Sequence, residues 1–202
     1  MAGGRPYRLR KRAERQEETR RRIAEATVAL HQEIGPARTT VSAIARRAGV
    51  ERLTVYRHFP SEADLLRACQ QHFLAAHPLP DPAAWSSVRD PSERLRAALA
   101  DLYGYYQETE AMLAHLLRDA PLVPGLAELL DAMPRYLEAA RTVLGAGWGV
   151  PDERRPLLDA VLGHALDFET WRSLVRRQGL STGQAVEVVA RMVAGLFGCG
   201  SR

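Results

Sequence analysis

"TVSAIARRAGVERLTVYRHFPSEADLL", Thr40 to Leu66, is the stretch that decides the fold. Val41, Ile44, Ala45 and Ala48 fall on one face of a short helix, Thr40 stands at its N-cap, and Gly49 follows where a left-handed residue ends a helix at least cost. A second short helix follows, with Leu53, Val55, Tyr56 and Phe59 as its anchors. Ser61 and Asp64 then make a capping-box pattern that starts a further helix through Leu65, Leu66, Cys69 and Phe73. Upstream, Ile23, Ala26, Thr27, Leu30 and Ile34 recur at helical steps from about Gln16, and Gly35-Pro36 ends that segment.

Two short helices about a glycine turn, preceded by a longer one, form a helix-turn-helix unit. Its second helix fits a major groove about 12 Å wide. Val41, Ile44, Ala45, Ala48, Val50, Val55 and Phe59 lock the helices together, and the residues between them face outward. Thr40, Thr54, Tyr56 and His58 are short or rigid donors suited to positioning phosphates, while Arg52 and Arg57 reach base edges or backbone.

Charge points the same way. Residues 1–60 hold 14 Arg and Lys against 6 Asp and Glu, and residues 61–202 hold 14 against 18, so a net +8 head adjoins a net −4 remainder. A basic head on an acidic body is the footprint of phosphate binding, with repulsion of the body helping to orient the head on DNA. The run Arg8, Arg10, Lys11, Arg12, Arg15, Arg20, Arg21, Arg22 extends that head, and residues 1–15 read as a flexible basic arm.

In these residues the chain resembles the TetR family of one-component transcriptional regulators over roughly residues 16–66. Ile44-Ala45, Ala48-Gly49-Val50, Tyr56, His58-Phe59 and Ser61 fall together in order and spacing. The resemblance implies phosphate contacts from Thr40, Thr54, Tyr56 and His58, and places Ser42, Arg52 and Arg57 nearest the bases. Two positions depart from the pattern. The family often has Ser where this chain has Glu51, which either caps its helix or accepts from a cytosine amine. It commonly has Lys where this chain has Glu62, and a carboxylate cannot serve as a phosphate-binding cation.

The remaining residues, 67–202, read as an all-helical effector-binding and dimerisation body, so the fold class is all-α. After a proline-rich break from Pro78 to Pro82, helices are expected from Asp90-Pro91 through Tyr106, near Thr109 to Arg118, and from about Gly125 to Leu144 with a break or kink at Pro134. A long helix from about Asp152 to Arg177 and a last one from Thr182 to about Phe197 are apolar on broad faces. A second copy of the chain is their simplest partner, and the resemblance also implies a dimer through the last two helices. Tyr103, Tyr105, Tyr106, Met112, His115, Met133, Tyr136, His164, Phe168 and Trp171 supply aromatic and soft apolar surface suited to a small, mostly apolar effector. The helix from Glu62 to about His77 is the only covalent bridge expected between head and body.

A helical enzyme using His115 or His164 with Asp167 or Glu169 is the rival reading, but it lacks a nucleophile motif, a phosphate loop and a metal cluster, and it leaves the basic head unexplained. His164 and Asp167 alone make a poor metal site, so no metal or cofactor is expected. A DNA-binding protein whose body takes a protein partner, or nothing, is a third reading. With 46% hydrophobic residues the chain can bury a sizeable core. It shows no signal peptide or membrane span, and its cysteines, Cys69 and Cys199, match no metal or redox spacing. A cytoplasmic, ligand-responsive repressor that binds a palindromic double-stranded operator as a homodimer is therefore expected.

Overall fold

The structure, a computed structural model, describes residues 4–197, with side chains from Arg10 onward. Cys199 lies outside the described residues. Helix α1 runs from Gly4 to Ile34, so the arm expected as a separate segment is, from Gly4 on, continuous with the first helix of the head. Residue types explain this: no glycine or proline interrupts residues 7–34, and Pro6 falls in the first turn, where a missing N–H costs no bond. Ion pairs one turn apart, Arg10 with Glu14 and Arg21 with Glu25, add a few tenths of a kcal/mol each.

The following elements are α2 (Val41–Ala48), α3 (Arg52–His58), α4 (Glu62–Ala76), α5 (Pro82–Trp85), α6 (Pro91–Asp119), α7 (Leu126–Leu130), α8 (Ala132–Leu144), α9 (Arg155–Ala165), α10 (Phe168–Arg172) and α11 (Thr182–Phe197). The chain divides into two compact units, Met1–Pro78 with Ala111–Leu129, and Leu79–Glu110 with Leu130–Arg202. It therefore passes from one to the other at three points. Glu62 to His77 is not the only covalent link, because α6 contributes its first part to one unit and its end to the other.

In the first unit α1 lies against α2 and α4, and α2 against α3. Ile23, Ile44, Val55 and Phe59, each 2% exposed or less, form the centre of its core with Leu30, Ala45, Ala48 and Leu65. Burying each of the larger side chains stabilises the unit by about 1.5–3 kcal/mol. A smaller cluster joins Leu66 of α4 to Val123 and Leu126.

The second unit buries Leu95, Leu99, Leu102, Tyr103 and Tyr106 of α6, Leu158, Leu162 and Leu166, Trp171, and Ala185 and Val193 of α11. Three expectations meet local chemistry here and at the unit boundary. The two helices expected over residues 90–118 are one, α6, because nothing between Pro91 and Asp119 breaks it and Thr109 simply returns its hydroxyl to the carbonyl of Tyr105. The expected interruption near Pro134 occurs at Asp131, which places the proline in the first turn of α8. The single helix expected over 152–177 is instead a 3₁₀ turn, α9, α10 and a π-helical turn over Ser173–Arg177. The break falls at Leu166-Asp167, where the Asp167 carboxylate accepts the Glu169 N–H at 2.7 Å and starts a new helix.

Candidate nucleic-acid interface

The turn between α2 and α3 is built from local chemistry. Thr40 Oγ1 accepts the Ala43 N–H at 3.2 Å, and Gly49 closes α2 at φ +66 in the left-handed region. Thr40 stays exposed, and its hydroxyl proton is still free to donate. Glu51 occupies the N-cap position of α3 but makes no side-chain cap bond, so the capping role expected of it is not used. Ser61 and Asp64 form the complete capping box at the start of α4. Ser61 and Arg67 hold the Asp64 carboxyl below its usual range.

Of the sequence-derived contact residues, Thr40, Ser42, Arg52, Tyr56 and Arg57 are exposed, while Thr54 and His58 are half-buried. Partial burial, then the Arg57 and Arg20 charges, lower the His58 pKa and so favour its uncharged imidazole. Leu53 and Tyr56 do not anchor α3, being 73% and 45% exposed. Val55 and Phe59 alone turn inward, and Leu53 is a large apolar side chain presented on the same helix as Arg52 and Arg57. Sequence reading assigned it to the core because the period of a seven-residue helix is too short to separate its faces.

Two sets of contacts hold this surface in place. Arg20 of α1 donates to the carbonyl of His58 at 2.8 Å and lies over the Phe59 ring at 4.3 Å, tying the end of α3 to α1. At the turn between α1 and α2, Asp119 accepts the Ala37 N–H at 3.0 Å, Arg118 Nη2 donates to the Ile34 carbonyl at 3.0 Å, and Arg118 Nε donates to Asp119 at 2.7 Å. Asp119 is 1% exposed, and its bond with Arg118 keeps it well below the usual carboxylate range. Gly35 sits beneath this pair at φ +89, where an added Cβ would fall on the Arg118 guanidinium and the Asp119 carboxylate. His115 Nδ1 donates to the His31 carbonyl at 3.0 Å. No sequence signal links Asp119 to Ala37, 82 residues away.

The candidate effector residues fall into several places. Tyr106 meets Phe168 edge-on at 5.4 Å between ring centroids and Trp171 at 6.1 Å, with Tyr103 at 6.2 Å, all within the second unit. Tyr136 is half-buried; its hydroxyl is buried without a partner, and burial first, then Tyr105, Asp101 and Asp81, raises its pKa. Met133 is half-buried at the start of α8. His164, 3.2 Å from Thr170 Oγ1, lines an outer cleft with Leu174, Met192 and Leu196. Met112 and His115 belong to the first unit. Among the described residues no group of three or more metal-capable side chains comes together.

Residues 23–69 match the family described as bacterial regulatory proteins, tetR family. No curated protein matches the chain at a significant level. Solved structures share the fold along nearly the whole length. A TetR-like transcriptional regulator from Rhodococcus sp. RHA1 aligns with TM-score 0.63 at 19% identity, covering 91% of this chain and 96% of its own. A tetR-family transcriptional regulator from Streptomyces coelicolor aligns with TM-score 0.62 at 19% identity, covering 89% and 80%. A protein from Saccharomonospora viridis in complex with choline aligns with TM-score 0.60 at 21% identity, covering 88% and 96%. The family match lies on the helix-turn-helix itself, so this segment is similar to that of the tetR family of bacterial regulatory proteins, and the chain shares the all-α fold of the solved regulators.

Proposed function

We propose that the protein is a ligand-responsive repressor that binds a palindromic operator as a homodimer and is released by a small, mostly apolar effector. In this reading residues 16–66 are the DNA-binding head and residues 67–202 the effector and dimerisation body. Thr40, Thr54, Tyr56 and His58 position phosphates, while Ser42, Arg52 and Arg57 read bases. The observation that carries it is the outward row on α3, where Arg52, Leu53, Tyr56 and Arg57 are exposed on a helix that Val55, Phe59 and Arg20 hold rigidly from behind. Leu53 joins the base readers, since an exposed aliphatic group in the major groove suits a thymine methyl.

Dimerisation through the last helices is supported by Leu157, Val188, Met192 and Leu196, which are 38–63% exposed on α9 and α11. Apolar exposure of that kind needs a partner face. An effector site among Tyr106, Tyr136, Phe168 and Trp171 is supported by the unpartnered Tyr136 hydroxyl, which gives an incoming acceptor something to bind. The choline held by the Saccharomonospora viridis protein accords with a small-molecule ligand. The enzymatic alternative loses its best pair, because Asp167 is spent on the Glu169 N–H. No described helix is long and apolar enough to cross a membrane.

The test is a fluorescence anisotropy titration against an operator duplex selected from a random pool and against its scrambled counterpart. Arg52→Ala should lose ~1–3 kcal/mol mainly on the selected site, while Tyr56→Phe and His58→Ala weaken both duplexes alike. Equal losses for Arg52→Ala on both would remove Arg52 from base reading.

A further inference from the structure

The amino-terminal half of α1 carries further positive charge beside the outward row of α3. Arg12, Arg15, Gln16 and Thr19 of α1 line a cleft whose other wall is Arg57 and His58. The two α1 arginines precede residues 23–69, the part of the chain shared with the family. They occupy the cleft only because the helix continues unbroken back from Gln16.

The charges in the cleft are uncompensated. Arg10 is paired with Glu14, Arg21 with Glu18 and Glu25, and Arg47 with Glu33, yet Arg12, Arg15 and Arg57 make no ion pair among the described residues. Glu17, whose charge is felt at His58, leaves three guanidinium groups against one carboxylate. Three like charges around one concavity repel each other unless an anion enters, and a guanidinium fork matches the oxygens of a phosphate. Thr19 returns its hydroxyl to the Arg15 carbonyl at 2.9 Å, which leaves Gln16 as a neutral donor of the cleft beside His58. The cleft is continuous with the carboxyl end of α3, where Arg20 fixes the His58 carbonyl. A duplex seated on α3 would therefore run its backbone past this wall.

We propose that the cleft takes a backbone phosphate lying beyond the base pairs read by α3, so that the operator footprint extends past the recognised sequence. The proposal rests on the DNA-binding reading above and assigns to Arg12 and Arg15 a contact that readout of bases by α3 does not require. It names the duplex backbone, rather than a free anion, because the cleft shares Arg57 and His58 with that surface.

The experiment uses the full chain and the selected operator in two lengths, one trimmed to the recognised base pairs and one extended by about half a helical turn, ~5 base pairs, at each end. Anisotropy titrations are run over a potassium chloride series, with circular dichroism to show that helix content is kept. Wild type should bind the extended duplex more tightly and with a steeper salt dependence. Arg12→Ala combined with Arg15→Ala should lose about tenfold on the extended duplex, lower the salt slope by roughly two, and stay within about twofold of wild type on the trimmed one. Equal affinities of wild type and variant for the extended duplex would overturn the proposal, as would equal losses on both lengths. Calorimetric binding of inorganic phosphate that disappears in the variant, with no change on the extended duplex, would give the cleft to a free anion instead. If no duplex is enriched from the pool by wild type, the DNA-binding reading itself fails and the proposal falls with it.

Discussion

The hydroxyl of Tyr106 donates at 2.7 Å to the main-chain carbonyl of Leu166, and that of Tyr103 donates at 2.8 Å to the carbonyl of Ala165. α9 ends at Ala165, so these carbonyls are among those a helix terminus leaves without an intrahelical partner. Two tyrosines on α6 thus stop α9 and allow the chain to turn into α10. Burial of both phenols also raises their pKa far above the usual range.

Replacing Tyr106 by Phe would leave the Leu166 carbonyl buried and unpaired. The expected loss is about 1–3 kcal/mol. For a chain of this size each kcal/mol lowers the melting temperature by roughly 2–4 °C. Thermal unfolding followed by circular dichroism checks this, and an unchanged midpoint would mean that the bond contributes nothing.

His31 gives the fold a sensitivity to acid. Its ring is 4% exposed and 3.4 Å from the Cys69 sulfur, and burial lowers its pKa from 6.5 to about 4, an effect the Asp119 charge only partly opposes. The unfolded chain therefore binds a proton between pH 6.5 and 4 that the folded chain refuses. Stability is full above pH 6.5 and falls as the pH drops towards 4, by roughly 1.4 kcal/mol per unit and about 3 kcal/mol in all. A series of urea unfolding curves should show this slope in wild type and a flatter one in His31→Gln. Parallel slopes would remove His31 as the source.

Gly35 and Asp119 form one device. Gly35→Ala puts a side chain at positive φ and pushes aside the Arg118 guanidinium and Asp119 carboxylate, so a loss of about 2–4 kcal/mol is expected. Asp119→Ala leaves the Ala37 N–H without its acceptor and Arg118 without its carboxylate partner, and should cost a similar amount. Because both act on the same contact, the double variant should fall well short of the sum. Additive losses by chemical denaturation would show that the two residues act separately.

Met192→Arg tests the proposed dimer face more cleanly than a change at Val189. Met192 is 63% exposed on its own chain, whereas Val189 is 6% exposed and needed by the fold itself. A charge at 192 would be buried without a partner in the four-helix contact, at a cost of several kcal/mol. Sedimentation should show folded monomer at concentrations where wild type is dimeric. A folded variant that sediments as wild type would place the interface elsewhere.

Local chemistry made the head legible in the sequence. The Thr40 cap, the left-handed Gly49, the Ser61–Asp64 capping box and the apolar spacing of Ile23 to Phe59 each depend on residues within a few positions of one another, and each is present in the fold. The breaks at Gly35-Pro36 and near Pro134 were legible for the same reason, since proline removes a donor wherever it stands. What tertiary structure alone decided were the uses of side chains whose partners are remote in sequence. Leu53 reads as a core anchor by spacing, but whether an apolar residue on a short helix is buried depends on which neighbour lies beneath it. Tyr103 and Tyr106 read as ligand tips, and the carbonyls they bond to are 62 and 60 residues away. Periodicity marks residues 152–177 as one helix, because a pattern of apolar positions carries no record of a carboxylate at 167 turning back to cap a new one. Arg118 and Asp119 sit in an ordinary helix end until the turn at Gly35 is brought against them, and only the folded chain turns that pair into a support for the turn that leads from α1 into α2.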